Sequence, residues 1–354
     1  MRYLLSRSSW FAACLAALVL FALGPARPAL ADDKLTVIGG ASGSFYEVLD
    51  HVALRGGFFA AEHLDVDKEY GGNAATATQL VASGKADILS ASIEPIITGY
   101  ERGVRLQVFF SRDPRYDYVL GVLDDSPIKT LADFKGATLG ETNVGATAEI
   151  SANDMLHGAG LRQSDYSYVP VGIGAQGLAA ITTKKVDGVT FPSVELGLDE
   201  IVGHVKFRIF RDPLLDSVPN VGYMAAPATI AAKPDVIARY TRALVKAALF
   251  IHYNPKVSAR YFLEGSGQPV TPDALDTATR EIELLQGDLP AADPSSKRIG
   301  TVDLRGVALY SKFMYDAGLT KQLVPASAIA TDQFTAFAND FDHKTVVAAA
   351  KAAH

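Results

Sequence analysis

The stretch Leu35-Thr36-Val37-Ile38-Gly39-Gly40-Ala41-Ser42-Gly43-Ser44-Phe45-Tyr46 decides the fold class. Its first five residues are mostly apolar and β-branched and read as a strand. The next five are small and read as a loop, and over 45–59 apolar residues recur at helical spacing. The same order continues downstream. His63-Leu64-Asp65-Val66-Asp67 alternates as a second strand, Asn73 stands where an N-cap is needed for a helix over 74–82, Ser83-Gly84-Lys85 stops that helix, and 86–91 is a third strand. A fourth strand is expected over 106–111. Strands alternating with helices predict a parallel sheet with helices on its faces.

After Arg112-Asp113-Pro114-Arg115, the run Tyr118-Val119-Leu120-Gly121-Val122-Leu123 is long enough to pass between two lobes, which puts a first hinge near 120–126. The pattern then restarts with a strand over 137–140, a Gly/Asn/Thr loop, a helix over 146–158, a strand over 166–171, a helix over 178–185 and a strand over 186–191 ending at Pro192. Val221-Gly222-Tyr223-Met224-Ala225-Ala226 reads as a second extended crossing, followed by helices over 233–253, 272–286 and 302–317. With 354 residues the chain exceeds the usual size of one core. The expected architecture is α/β with two lobes: 32–122 with 223–354 in the first, 123–222 in a smaller second, and a helical C-terminal cover returning to the first.

Upstream, Arg2 and Arg7 precede the apolar run 10–23, and Ala29-Leu30-Ala31 follows it. This is the pattern of a secretory signal peptide, residues 1–31, cleaved after Ala31; the run falls short of the roughly 20 residues needed to cross a bilayer. Cys14 lies inside the run instead of at its end, which argues against lipidation. The segment carries three arginines and no acids, so its removal takes the formal net charge from −6 to −9. The mature chain is therefore expected to be exported and to begin at Asp32, and its acidity speaks against nucleic acid or anionic membrane as a partner. Cys14 is the only cysteine, so no disulfide is available and the core must hold the fold.

The seven histidines show no metal-binding spacing, and neither a Gly-x-Ser-x-Gly elbow nor a phosphate-binding loop occurs. No catalytic residue, metal or cofactor is expected. Gly172-x-Gly174-x-x-Gly177, with Glu195 about 20 residues onward, matches the dinucleotide fingerprint. An exported chain is rarely supplied with a soluble nicotinamide, and the helix that follows is short, so these glycines are read as a permissive turn at a helix N-terminus.

Loops that lead into helices present free backbone N–H groups, so Gly40 to Ser44, Asn73, Gly140 to Thr147 and Gly172 to Gln176 are candidate walls of a cleft for a small polar ligand. Two lobes would bring such strand ends to one crevice. Phe45, Tyr46 and Tyr223 could supply flat contact there, although core positions suit aromatics at least as well. Glu94, Glu141 and Glu195 lie just beyond predicted strands, while Lys and Arg are absent from the same loops, with Arg112 and Arg115 nearest. If these acids face the ligand and are not solvated rim residues, the ligand carries a hydrogen-bond-donating or cationic nitrogen.

Three segments carry a resemblance to a known family: Gly57-Phe58-Phe59-Ala60-Ala61-Glu62-His63-Leu64-Asp65-Val66, Ala82-Ser83-Gly84-Lys85-Ala86-Asp87-Ile88 and Ser126-Pro127-Ile128-Lys129-Thr130-Leu131-Ala132-Asp133-Phe134-Lys135-Gly136. In order and spacing they resemble the nitrate/sulfonate/taurine-type solute-binding proteins of ABC importers, a family that also includes thiamine-precursor binding proteins. The resemblance implies a two-lobe periplasmic-binding-protein fold of type II, a monomer that closes on a small-molecule solute, and delivery to an ABC permease in the inner membrane without chemistry. It implies ligand contacts at Ser42, Ser44, Phe45, Tyr46, Asn73, Ser92 and Glu94 in the first lobe and at Thr142, Asn143, Thr147, Gly174, Ser193 and Glu195 in the second. An enzyme resembling thiamine-pyrimidine synthases, or a ligand-sensing subunit of a membrane receptor, are the alternatives on the same scaffold.

Overall fold

The computed structural model describes residues 32–39, 45–142, 147–288 and 297–354. The expected leader, with its cleavage site, and the expected contacts Ser42, Ser44 and Asn143 lie outside these residues; of Thr147 only the backbone is described. Among the described residues ten strands form two five-stranded sheets. The strands are β1 (Asp33–Gly39), β2 (Leu64–Tyr70), β3 (Ile88–Ser92), β4 (Gln107–Ser111), β5 (Tyr118–Leu123), β6 (Thr138–Glu141), β7 (Ser167–Pro170), β8 (Gly188–Pro192), β9 (Phe207–Phe210) and β10 (Val221–Ala225).

The first sheet has the order β2-β1-β3-β10-β4 and the second β7-β6-β8-β5-β9. In the first, β1 is parallel to β2 and β3, and β10 runs antiparallel between β3 and β4. In the second, β6 is parallel to β7 and β8, and β5 runs antiparallel between β8 and β9. Each sheet therefore has four strands in one direction and one against it, and in each the reversed strand comes from the other side of a crossing.

This corrects the expected crossings. Residues 118–123 and 221–225 are strands inside the sheets: Leu120 pairs with Thr190 and Phe210, and Tyr223 pairs with Ser90 and Phe110. A run buried on both faces and a run passing between lobes look alike in sequence, and what separates them is where the backbone N–H groups find partners. The chain passes between the sheets at 112–117 and 211–220. These two segments are tied to each other, since Arg112 N and Asp113 N donate to Val221 O at 3.0 and 3.1 Å and Asn220 N donates to Asp113 O at 3.0 Å.

The helices are α1 (Val48–Arg55), α2 (Ala74–Ala82), α3 (Glu94–Gly99), α4 (Thr147–Gly158), α5 (Ala175–Thr182), α6 (Ser193–Gly203), α7 (Pro227–Ala232), α8 (Pro234–Tyr253), α9 (Pro255–Gly265), α10 (Pro272–Asp288), α11 (Leu304–Asp316), α12 (Ala326–Ile329), α13 (Thr335–Ala338) and α14 (His343–Ala352). The expected helix over 45–59 is shorter than its apolar pattern. A 3-10 turn over Phe45–Glu47 leads into α1, which stops before Gly56-Gly57, two poor helix formers. The first sheet is covered on both faces. Ile237, Tyr240 and Leu244 of α8 share a core with Val37, Phe109 and Tyr223, and Val307, Tyr310 and Met314 of α11 share another with Ile96 and Met224. The second sheet has smaller cores, around Phe134 and Leu139 on one side and around Val189 and Phe191 on the other. The C-terminal helices cover the first lobe and also touch the second, because α10 lays Leu284 against Gly197 of α6. Among the described residues no helix is long and apolar enough to cross a membrane.

Candidate functional site: a cavity where both crossings meet

The strands of an open α/β sheet end in loops that cannot pair within the sheet, and ligands settle outside those ends. Here the turn before α1, the end of β3, both crossings and the starts of α2, β5 and β10 line a cavity of about 180 Å³. The first lobe lends Tyr46 and Glu47 from the turn before α1, Ala74 from the first residue of α2, and Ser90, Ala91 and Ser92 from β3. Arg112 comes from the first crossing, Asn220 from the end of the second, Val221 from the start of β10 and Tyr118 from the second sheet.

The polar groups around this cavity form two linked clusters. In the first, Lys68 of β2 is 5% exposed and sits between two acids, with Nζ 2.5 Å from Glu47 Oε2 and 3.0 Å from Asp50 Oδ2. Asp50 Oδ2 also accepts from Ser90 Oγ at 3.1 Å and from the Tyr223 hydroxyl at 3.0 Å. Burial opposes ionisation of Asp50, but Lys68 outweighs it and holds the carboxyl below its ordinary value. For Glu47 burial wins over the attraction of Lys68, and the carboxyl is pushed up to about 7. Gly39 makes room for this acid: a Cβ there would lie 2.6 Å from Glu47 Oε1.

In the second cluster, Arg112 Nε donates to Asp113 Oδ1 at 2.8 Å, a second guanidinium nitrogen donates to Asp113 Oδ2, and a third to the Tyr46 carbonyl. The guanidinium also lies 5.0 Å from the Tyr46 ring centroid. The Tyr46 hydroxyl and Asn220 Nδ2 both donate to Asp117, at 2.9 and 2.6 Å. Burial, with Asp113 close by, pushes Asp117 up to about 7.

The residues expected to touch ligand are dispersed. Tyr46 and Ser92 line the cavity. Phe45 instead packs edge-on against Phe262, and Tyr223, fully buried, belongs to the core. Asn73 caps α2, its Oδ1 accepting from Thr76 N at 2.9 Å. Glu94 opens α3 near Tyr118, and burial raises its carboxyl. Thr142 and Ser193 each hold a buried hydroxyl without a hydrogen-bond partner among the described residues, and Ser193 N donates to Asp117 O at 2.8 Å. Gly174 and Glu195 lie apart, in a groove between α5 and α6 that Asp199 and Thr277 of α10 also line. Gly172 and Gly174 have positive φ, and a Cβ at Gly177 would lie 2.5 Å from the Phe191 ring, so the three glycines serve a turn and a close helix–strand approach. Glu47, Ser90, Tyr118 and Asn220 escaped the sequence reading. For Tyr118 and Asn220 the signal available was position, since each adjoins a crossing.

Comparison with known proteins follows the same lines. The chain superimposes on the periplasmic aliphatic sulphonate binding protein SsuA from Escherichia coli with a TM-score of 0.66 and 18% identity, over 85% of this chain and 92% of that one. For the alkanesulfonate-binding protein SsuA from Xanthomonas axonopodis pv. citri, bound to MOPS, the values are 0.62 and 16%, over 86% and 100%. The desulfurization enzyme DSZB also aligns, with 0.59 and 16%, over 86% and 98%. These likenesses establish the periplasmic-binding-protein fold. No curated protein matches the chain in sequence. A profile of the NMT1/THI5-like family matches residues 48–258, more than half of the chain, and the protein belongs to that family.

Proposed function

We propose that the protein is the extracytoplasmic solute-binding component of an ABC importer, freed of residues 1–31, which captures a small organic solute and hands it to a permease. The sulfonate, taurine, nitrate and thiamine-precursor classes are the solutes in question. The observation that carries this reading is the composition of the cavity wall: β3, both crossings and Tyr118 of the second sheet all contribute. A molecule held there touches both lobes and stabilises the arrangement in which they are closed, and a permease can recognise that arrangement. The proposal includes no chemistry. The fold is shared with a desulfurization enzyme, one structure of which is a cysteine-to-serine variant with biphenyl-2-sulfinic acid. In this chain the only cysteine, Cys14, falls in the expected leader.

The test is a thermal-shift screen of ligand-stripped protein beginning at Asp32 against sulfonates, taurine, nitrate and pyrimidines, with each hit assayed for turnover. A true ligand at 100 times its dissociation constant adds about 2.7 kcal/mol. Stabilisation by one class with the compound recovered intact is the expected result, whereas conversion of a screened compound would move the reading to the enzyme alternative.

A further inference from the structure

We propose that α10 is a latch between the lobes: fixed to the first lobe by one face, it holds the second lobe through α6, and it must release α6 before the lobes can part. Two stripes of the helix carry this double role. Ala274, Leu275, Ala278 and Ile282 recur at helical spacing and form the first. Ala278 and Ile282 are buried in the first-lobe core with Val257 and Phe262 of α9, and Gln286 Nε2 donates to Ile251 O of α8 at 2.9 Å. Thr277, Glu281 and Leu284, four and three residues apart, form the second stripe beside it. This stripe meets the second lobe. Leu284 lies against Gly197 of α6, Glu281 faces Glu195, and Thr277 lines the groove that Leu178 and Asp199 also line.

On its own side, α6 is anchored to the second sheet by Leu196, which is fully buried with Val189 and Phe191. The surfaces that must separate here when the lobes part are therefore those of α10 and α6. Leu284 sits in the notch left by Gly197, where a Cβ would lie 3.1 and 3.2 Å from its two δ carbons. The contact is small, because a groove of about 510 Å³ stays open beside it between α5, α6 and α10. The like charges of Glu195 and Glu281 oppose it. A single apolar knob set against a repelling pair favours one arrangement without fixing it. Neither Leu284 nor Gly197 is among the residues that line the cavity, so the latch acts on every solute alike. By populating the closed arrangement beforehand it raises the affinity of whatever that arrangement binds.

Small-angle scattering of the ligand-stripped chain beginning at Asp32, at pH 5.5, tests the latch from both lobes. Cys14 is the only cysteine of the sequence and precedes that start, so Gly197→Cys combined with Leu284→Cys allows a single disulfide. The γ carbon of Leu284 lies 3.7 Å from the Cβ position of residue 197, close enough for the bridge to form. Oxidised with glutathione disulfide and checked by thiol titration, this pair supplies the radius of gyration of the latched molecule. The parent chain is expected to match it. Leu284→Ala, which removes the knob, and Gly197→Leu, which fills the notch, are each expected to give a larger radius with an unchanged circular dichroism spectrum. Both positions are only half-buried, so neither change opens a lobe core. A pair that does not oxidise, a parent chain larger than the bridged pair, or either single variant as compact as the bridged pair overturns the proposal. No solute is added, so the latch can fail here while the solute-binding reading stands, and the solute screen can fail while the latch stands.

Discussion

Lys68 holds the floor of the cavity together, since its ammonium is the counter-charge for both Glu47 and Asp50 in a place almost closed to water. Lys68→Met keeps most of the stem volume and leaves two buried carboxyls without a counter-charge, a change that costs about 3–5 kcal/mol. Urea unfolding is expected to show a lower midpoint at unchanged slope. Asp117 yields a prediction of the opposite kind. Its carboxyl is raised to about 7 in the fold, so the native state favours the protonated form; the stabilisation is complete below the ordinary carboxyl range and is lost as pH rises through 7. Relative to Asp117→Asn, the native chain should therefore lose stability between pH 4 and pH 8, and parallel pH profiles would refute the assignment. Tyr46 and Ser92 could be named from sequence because each closely follows a strand. Glu47 and Lys68 could not, because they lie on separate elements and only the pairing of β1 with β2 brings Lys68 to that end of the sheet.

Among the elements, α5 tests whether the glycine triplet is a packing device. Gly177→Ala places a methyl 2.5 Å from the Phe191 ring of β8, an overpacking expected to lower stability by about 1–3 kcal/mol in thermal or denaturant unfolding. Full stability in that variant would mean the close approach is not needed. Strands and helices in the parallel part of each sheet were legible because a β-branched run, a small loop and a capped helix follow one another; Asn73 capping α2 is the plainest case. The reversed strands were not. Tyr118-Val119-Leu120-Gly121-Val122-Leu123 and Val221-Gly222-Tyr223-Met224-Ala225 were recognised as extended, but nothing in their composition says that β8 and β9, or β3 and β4, would flank them. The strand β9 has a mixed burial pattern and gave no signal.

Across the whole molecule, the lobes are joined by the two crossings and by the contact of α10 with α6. Glu195 on α6 faces Glu281 on α10, and burial with the charge of Glu195 pushes Glu281 up to about 8 and Asp199, also on α6, up to about 7. Raised acids favour the closed contact while protonated, so the contact weakens as pH rises through 7 and 8. Small-angle scattering of the ligand-free chain is expected to show a larger radius of gyration at pH 9 than at pH 5.5, and Glu281→Gln to reduce that change. The connectivity has a further consequence, for the order of folding. Every strand of the second sheet lies between residues 118 and 210, whereas β3 and β4 of the first are joined only by β10, which is made afterwards. A fragment spanning 118–212 should thus unfold cooperatively by itself, and one spanning 32–111 should not. Closing β10 into its gap is the long-range step that the rest of the chain must wait for. The lobe inserted into the middle of the sequence is therefore the first to be complete, and the one that begins the chain is the last.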